Sequence, residues 1–162
     1  MKSLELAVKM EQDAVDFYTN CAAKTGSPVG KKMFLSIAED EKYHLACANK
    51  VLKGQGFEPA KTTPKQDMKS IFEQNKDIMM QKVSASTDDI QALTIAMKME
   101  KEGFEFYQKA AADAASPAEQ ALFECLAKDE QEHFTIFQNT CSYLSDTSNW
   151  FMWEDRAIYE GG

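Results

Sequence analysis

Apolar side chains recur every three or four residues along four segments of the chain, a spacing that predicts amphipathic α-helices. The predicted helices cover roughly residues 3–25, 28–53 and 88–115 and a fourth segment that begins at Ser116-Pro117. Gly26-Ser27-Pro28 separates the first two, because glycine suits a helix C-terminus and Ser-Pro suits the start of the next helix. No segment alternates apolar and polar residues as a half-buried strand would, so the sequence predicts an all-α fold.

The connection between the two helix pairs is long. A compact domain rarely holds such a segment without structure, so we expect a short helix of its own at roughly residues 65–83. We assign residues 1–145 to one four-helix bundle and residues 146–162 to a C-terminal tail. The tail is rich in aromatic residues, Trp150 and Trp153 among them, and we expect it to pack on the bundle or on a neighbouring subunit.

The second helix pair repeats the first. Asp40-Glu41-Lys42-Tyr43-His44 recurs 89 residues later as Asp129-Glu130-Gln131-Glu132-His133, and Glu11 corresponds to Glu100 at the same offset. Residues 5–47 and 94–136 agree at 15 positions without an insertion. Each half therefore brings two glutamates and one histidine, and the Glu-x-x-His spacing places the second glutamate and the histidine on one helix face.

Four glutamates fall on the apolar faces of their helices, and a histidine follows two of them by one turn. The six residues are Glu11, Glu41, His44, Glu100, Glu130 and His133. An isolated carboxylate in an apolar interior costs many kcal/mol, and no Lys or Arg lies on these faces. Two divalent cations would balance the four charges and leave two neutral imidazoles as further ligands, so the sequence predicts a two-metal site. The competing interpretation is that the helices are rotated and the acids are solvated.

Charge and cysteine content restrict the partners and the compartment. The formal net charge of −8 argues against nucleic acids and anionic membrane surfaces, and no apolar run approaches the ~20 residues of a membrane-spanning helix. The N-terminus shows no signal-peptide pattern. Four scattered cysteines without a Cys-x-x-Cys motif fit a reducing compartment, so we expect a cytoplasmic protein. We interpret these cysteines as small core residues, with Cys47 one turn beyond His44.

The ligand pattern resembles the di-iron site of the ferritin-like superfamily. The close spacing of the glutamates, and a tyrosine two turns after the first glutamate of each half, are most like a rubrerythrin. The resemblance implies a ferritin-like four-helix bundle of two duplicated helix pairs joined by a long crossover. It also implies two iron ions (Fe2+/Fe3+), with Glu41 and Glu130 as bridging ligands, Glu11 and Glu100 as terminal ligands and one histidine on each iron. Manganese and zinc are alternative occupants.

The chain departs from the related families at three places. Rubrerythrins carry a rubredoxin-like centre of four cysteines that this sequence lacks, so we expect an external electron donor such as a rubredoxin-like protein. Gly103 stands where rubrerythrins carry an additional carboxylate, and Ala14 corresponds to it in the first half. Bacterioferritins share the six-ligand pattern, but Lys42 stands where they carry their haem-binding methionine. We therefore expect no haem.

Two tyrosines are candidates for supporting the ligands. Tyr18 and Tyr107 lie two turns after Glu11 and Glu100 on the same helix faces. From there each hydroxyl would donate a hydrogen bond to a carboxylate of the other half. The alternative is an ordinary buried tyrosine with some other partner.

Two aspartates are candidates for orienting the histidines. Asp40 and Asp129 each precede a predicted ligand glutamate, and a metal-bound histidine generally donates its second ring N–H to an acceptor. We favour a crossed arrangement, with Asp40 against His133 and Asp129 against His44, over solvated surface acids.

The functional hypothesis is a di-iron enzyme that reduces hydrogen peroxide with electrons from the external donor, in defence against oxidative stress. We expect a small symmetric assembly, most simply a homodimer. One alternative is a ferroxidase that oxidises Fe(II) with oxygen for iron storage or detoxification. A second alternative is a non-enzymatic interaction module that is stapled by its metal ions and binds a partner through the aromatic tail.

Overall fold

The computed structural model describes residues 2–59 and 87–145. Within these ranges the chain forms no strand and four helices: α1 (Ser3–Lys24), α2 (Pro28–Leu52), α3 (Thr87–Ala112) and α4 (Pro117–Ser145). The prediction of an all-α fold built from two helix pairs is confirmed. The expected helix at residues 65–83 and the aromatic tail at 146–162 lie outside the described residues.

Helices α2 and α4 begin in the same way, at a Ser-Pro pair. Ser27 Oγ accepts a hydrogen bond from the Gly30 N–H at 3.1 Å, and Ser116 Oγ accepts one from the Glu119 N–H at 3.2 Å. Each serine thereby satisfies one of the N–H groups that a helix start leaves without an internal partner. Helix α3 ends earlier than predicted, at Ala112, because residues 113–115 form the turn that leads into the second of these caps.

The helices pack as consecutive pairs, α1 with α2 and α3 with α4. Two contacts between the pairs set the direction of α1 relative to α3. Tyr18 near the end of α1 reaches Glu100 in the middle of α3, and Tyr107 near the end of α3 reaches Glu11 in the middle of α1. The two helices are therefore antiparallel, and the duplicated halves are related by an approximate twofold axis.

Two apolar clusters fill the bundle, one toward each end. One cluster includes Tyr18, Phe34, Ile37, Leu93 and Phe137, and the other includes Ala48, Tyr107, Leu122, Phe123 and Leu126. The stacked pair Tyr18–Phe34, with ring centroids 6.4 Å apart, is repeated at the equivalent positions as Tyr107–Phe123, at 6.0 Å. The predicted ligands occupy the chain positions between the clusters, so the fold places them in one buried layer.

None of the helices in the described ranges has the length and apolarity that crossing a membrane requires.

Candidate metal centre

Six ionisable side chains meet in the layer between the apolar clusters. They are Glu11 from α1, Glu41 and His44 from α2, Glu100 from α3, and Glu130 and His133 from α4, and all are buried. Glu130 is the most exposed of the six and keeps 6% of its accessible surface. The helix faces predicted from the apolar period do point inward, and the alternative of solvated acids on rotated helices is wrong.

The potential ligand atoms form two overlapping groups. One group contains Glu11, Glu41, His44 and Glu130, and the other contains Glu41, Glu100, Glu130 and His133. Within each group, one ligand atom from every residue lies within 4.8 Å of the others. Glu41 and Glu130 belong to both groups, whereas each remaining glutamate and each histidine belongs to one. This division matches two neighbouring cations that share two carboxylates.

Both histidines turn Nδ1 toward the carboxylates. His44 Nδ1 lies 3.0 Å from Glu41 Oε2 and 3.6 Å from Glu130 Oε1. His133 Nδ1 lies 3.0 Å from the other oxygen of Glu41, Oε1. The two oxygens of Glu41 therefore face different imidazoles, as a carboxylate shared between two ions requires.

The second ring nitrogen of each histidine meets an aspartate from the opposite half. His44 Nε2 lies 3.0 Å from Asp129 Oδ2, and His133 Nε2 lies 3.3 Å from Asp40 Oδ2. These are the crossed contacts that the sequence predicts. A carboxylate at Nε2 favours the tautomer with the proton on that nitrogen, which leaves the lone pair of Nδ1 directed into the centre.

Two tyrosines reach across the bundle in a second crossed pair. Tyr18 donates a hydrogen bond to Glu100 Oε1, and Tyr107 donates one to Glu11 Oε1. Burial raises the pKa of both tyrosines well above the usual value, and the charge of the glutamate that each one contacts raises it further. Both hydroxyls therefore keep their protons and act as fixed donors to these two carboxylates.

Burial and charge shift the pKa values of the acids in different directions. Burial raises the pKa of Glu11 to about 8, and the charge of Glu41 adds to the shift. Burial and the charges of Glu100 and Glu41 raise the pKa of Glu130 well above its usual range. Burial also acts to raise the pKa of Glu41, but the neighbouring imidazoles, His133 foremost, outweigh it and lower that pKa. Protons and cations consequently compete for the oxygens of Glu11 and Glu130.

The side chains of this layer fit a pair of divalent cations. Four buried atoms directed into it make no well-aligned hydrogen bond within the described residues: Glu41 Oε1, Glu100 Oε2, Glu130 Oε1 and His133 Nδ1. Buried polar atoms without a well-aligned hydrogen bond are costly and rare, and cations between the carboxylates would satisfy them. Mixed carboxylate and imidazole ligation suits iron or manganese.

Gly103 makes room for one of the two shared glutamates. A Cβ at this position would stand 2.8 Å from Glu130 Oε2, so the carboxylate would have to move.

A cavity of about 170 Å³ opens beside Gly103 between α1 and α3, with Met10 and Met99 in its lining. From the sequence alone, Gly103 indicated only a missing carboxylate, and Met10 and Met99 were not predicted to lie near the site. Met10 and Met99 occupy equivalent positions of the repeat, and this was the one sequence feature from which their place beside the site could have been predicted.

Comparison with known families identifies the group to which the chain belongs. A sequence model of the rubrerythrin family matches residues 2–141, which span α1 to α3 and most of α4. The chain belongs to the rubrerythrin family. The predicted resemblance and the ferritin-like character of the bundle are thereby confirmed. A search of curated proteins and a search of solved structures each gave no match. Rubrerythrin family membership and the buried carboxylate–histidine cluster together indicate a di-iron protein.

The stability of this rubrerythrin-family protein without metal is expected to fall as the pH rises. The pKa of Glu11 increases from 4.5 to about 8 on folding, so its stabilising proton is fully bound below pH 4.5 and is lost as the pH rises to about 8. The histidines act in the same direction: burial lowers their pKa values, but contacts with the acids outweigh burial and raise them. Urea unfolding of chelator-treated protein across this pH range measures the effect.

Glu11→Gln is the matched variant for this measurement. Glutamine keeps an acceptor for Tyr107 but does not titrate, so the variant should lose less stability than the wild type over the same pH range. If the free energy of unfolding of the two proteins changed with pH by the same amount, the contribution of Glu11 would be contradicted.

Replacing Gly103 with alanine is expected to weaken metal binding while the fold is retained. The added methyl group displaces the Glu130 carboxylate, whereas the helix itself gains ~1 kcal/mol of propensity. Metal titration should show an affinity lower by roughly tenfold or more, and the unfolding midpoint of the metal-free variant should stay level or rise. Gly26→Ala is the control, because a Cβ there has no neighbour within 4 Å. Equal affinities for the two variants would count against a positioning effect of Gly103.

Proposed function

We propose that this member of the rubrerythrin family is a non-haem di-iron peroxidase that reduces hydrogen peroxide to water with electrons from an external donor protein. The observation that carries the proposal is the pair of overlapping ligand groups that share Glu41 and Glu130. Each group supplies one further carboxylate and one imidazole. A site built as two equivalent halves suits a reaction that needs two electrons at once.

The proposed ligands follow from this grouping. Glu11 and His44 would hold one iron, Glu100 and His133 would hold the other, and the two shared glutamates would bridge them. When bound, the iron pair supplies the redox chemistry, one electron from each ion, for the reaction H2O2 + 2 H+ + 2 e− → 2 H2O. The four carboxylates offset the charge of two divalent ions, which keeps the buried layer near neutrality.

The surrounding side chains hold this ligand set in place. The hydroxyl protons of Tyr18 and Tyr107 remain on the tyrosines and restrain the outer carboxylates of the two groups. The crossed aspartates hold a proton on Nε2 of each histidine and so orient the imidazoles. The apolar clusters on both sides restrict the access of water to the layer.

The cavity beside Gly103 supports a small oxidant. It has a volume of about 170 Å³ and is lined by Glu11, Glu100 and Glu130, so it leads to oxygens of both ligand groups. A cavity of this volume holds several water molecules and therefore admits a molecule of the size of hydrogen peroxide or oxygen. A passage of this kind between α1 and α3 supports direct access of the oxidant to the metals.

The electron source in this proposal is a separate protein. The four cysteines are scattered over three helices and do not form the four-thiolate cluster of a rubredoxin-like centre. A rubredoxin-like donor would therefore dock on the bundle and return the oxidised irons to the ferrous state.

Removal of a shared glutamate is expected to lower the metal content of the protein more than removal of any other ligand. Glu41→Ala and Glu130→Ala each delete an oxygen donor from both groups, so their iron content after anaerobic loading should fall toward zero. Glu11→Ala deletes a donor from one group and should retain part of the iron. Glu105→Ala is the control, because its side chain is 62% exposed, and it should match the wild type. Metal analysis after desalting decides this, and equal iron in Glu130→Ala and wild type would exclude the shared role.

The proposed reaction is tested by comparing oxidants. Stopped-flow mixing of the reduced, iron-loaded protein should show faster oxidation by hydrogen peroxide than by oxygen, and sustained turnover only when an electron donor is added. Size-exclusion chromatography with light scattering should show a small assembly, most simply a dimer. Faster reaction with oxygen, together with a large hollow shell that accumulates many irons per chain, would instead establish the ferroxidase and storage function. Stable metal binding without reaction toward either oxidant would establish the non-enzymatic alternative.

A further inference from the structure

Cys47 and Cys125 lie on facing turns of α2 and α4. Cys47 follows His44 by one turn of α2, and Cys125 precedes Asp129 by one turn of α4. His44 Nε2 and Asp129 Oδ2 are 3.0 Å apart. Because α2 and α4 run antiparallel, moving one turn forward along α2 corresponds to moving one turn back along α4. The contact between the histidine and the aspartate therefore sets the two cysteines opposite each other.

The packing around the thiols agrees with this register. Cys47 is buried in one cluster with Leu122 and Leu126, which flank Cys125 on α4. Burial raises the pKa of Cys125, Asp129 adds to the shift, and the nearby Cys47 raises it further. The two cysteines thus lie on facing turns of the interface between α2 and α4, and no disulfide joins them.

The pair of Cys47 and Cys125 is not a consequence of the internal duplication. The positions equivalent to Cys47 and Cys125 are Ile136 and Ser36, so the other half of the bundle has no thiols there. The remaining cysteines, Cys21 and Cys141, belong to the opposite apolar cluster. The Cys47–Cys125 register is therefore not repeated at the equivalent positions of the other half.

A surface cavity gives small molecules access to one of the two thiols. It has a volume of about 500 Å³ and is lined by Tyr43, Cys47, Lys50, Gly56, Phe57 and Glu58. Cys125, on the other helix, is only partly buried. The surroundings of the pair are therefore approached from solvent without passing through the metal layer.

We propose that Cys47 and Cys125 form a redox-active dithiol that hydrogen peroxide converts into a reversible disulfide between α2 and α4. Cys47 releases its proton and its thiolate attacks one peroxide oxygen; the O–O bond breaks, and the departing hydroxide takes up that proton, which leaves Cys47 sulfenic acid and one water. Cys125 then attacks the sulfenic sulfur, its proton leaves with the departing hydroxide as a second water, and the S–S bond closes. The thiols lose two electrons and two protons to peroxide, and a dithiol reductant reverses the change.

The disulfide would act on the metal layer through its position. It would fix α2 to α4 one turn from the contact between His44 and Asp129, and so hold that imidazole in place. The proposal does not depend on the peroxidase activity, because the thiols and peroxide balance the reaction by themselves.

The test uses the full chain with zinc in the metal layer, because zinc has no redox chemistry. After reduction and desalting, the protein is exposed to hydrogen peroxide. The intact mass should fall by two hydrogen atoms, non-reducing peptide mapping should join the peptides of Cys47 and Cys125, and the unfolding midpoint should rise by several degrees. Dithiothreitol should reverse all three changes.

Variants separate this pair from the other cysteines. The double variant Cys21→Ser/Cys141→Ser should form the bridge as the wild type does. Cys47→Ser should not form it, and Cys125→Ser should accumulate a sulfenic acid on Cys47 that dimedone traps. The Cys→Ala variants repeat both tests if a serine disturbs the fold. Four intact thiols after peroxide treatment, a bridge between Cys21 and Cys141, or crosslinks only between chains would overturn the proposal.

Discussion

The burial of four carboxylates and two imidazoles in one layer is the constraint on which the rest of the structure depends. Charged groups are stable in an apolar interior only when they are paired or neutralised. In this fold the buried carboxylates are stabilised by crossed hydrogen bonds from Tyr18 and Tyr107 and by the cation sites that the acids themselves form. The aromatic pairs above and below the layer are the apolar walls that keep these interactions strong.

Neither half of the duplicated chain completes its own centre. The tyrosine of each half restrains the first glutamate of the other half, and the aspartate of each half orients the histidine of the other half. The two ligand groups also share a glutamate from each half. Packing of the two helix pairs therefore completes the metal layer, which couples metal binding to the stability of the bundle.

The properties specific to this chain lie where its two halves differ. Gly103 leaves space at the Glu130 carboxylate, whereas its counterpart Ala14 has a side chain. Cys47 and Cys125 face each other on one side of the layer, whereas their counterparts Ile136 and Ser36 carry no thiols. The shared features maintain the metal layer, and these local differences leave space at one of its carboxylates and place two cysteines on one side of it.

The sequence by itself determined the helices, the pairing of the halves and the six inward-facing residues, because helical periodicity and internal repetition are local properties of the chain. It also predicted the crossed tyrosine and aspartate contacts, which follow from twofold repetition once the helices are paired. Only the tertiary structure decided that a Cβ at Gly103 would collide with Glu130, that a cavity opens between α1 and α3, and that Cys47 and Cys125 lie on facing turns of α2 and α4. These features depend on the spacing and register of helices far apart in sequence, and residue periodicity carries no information about either.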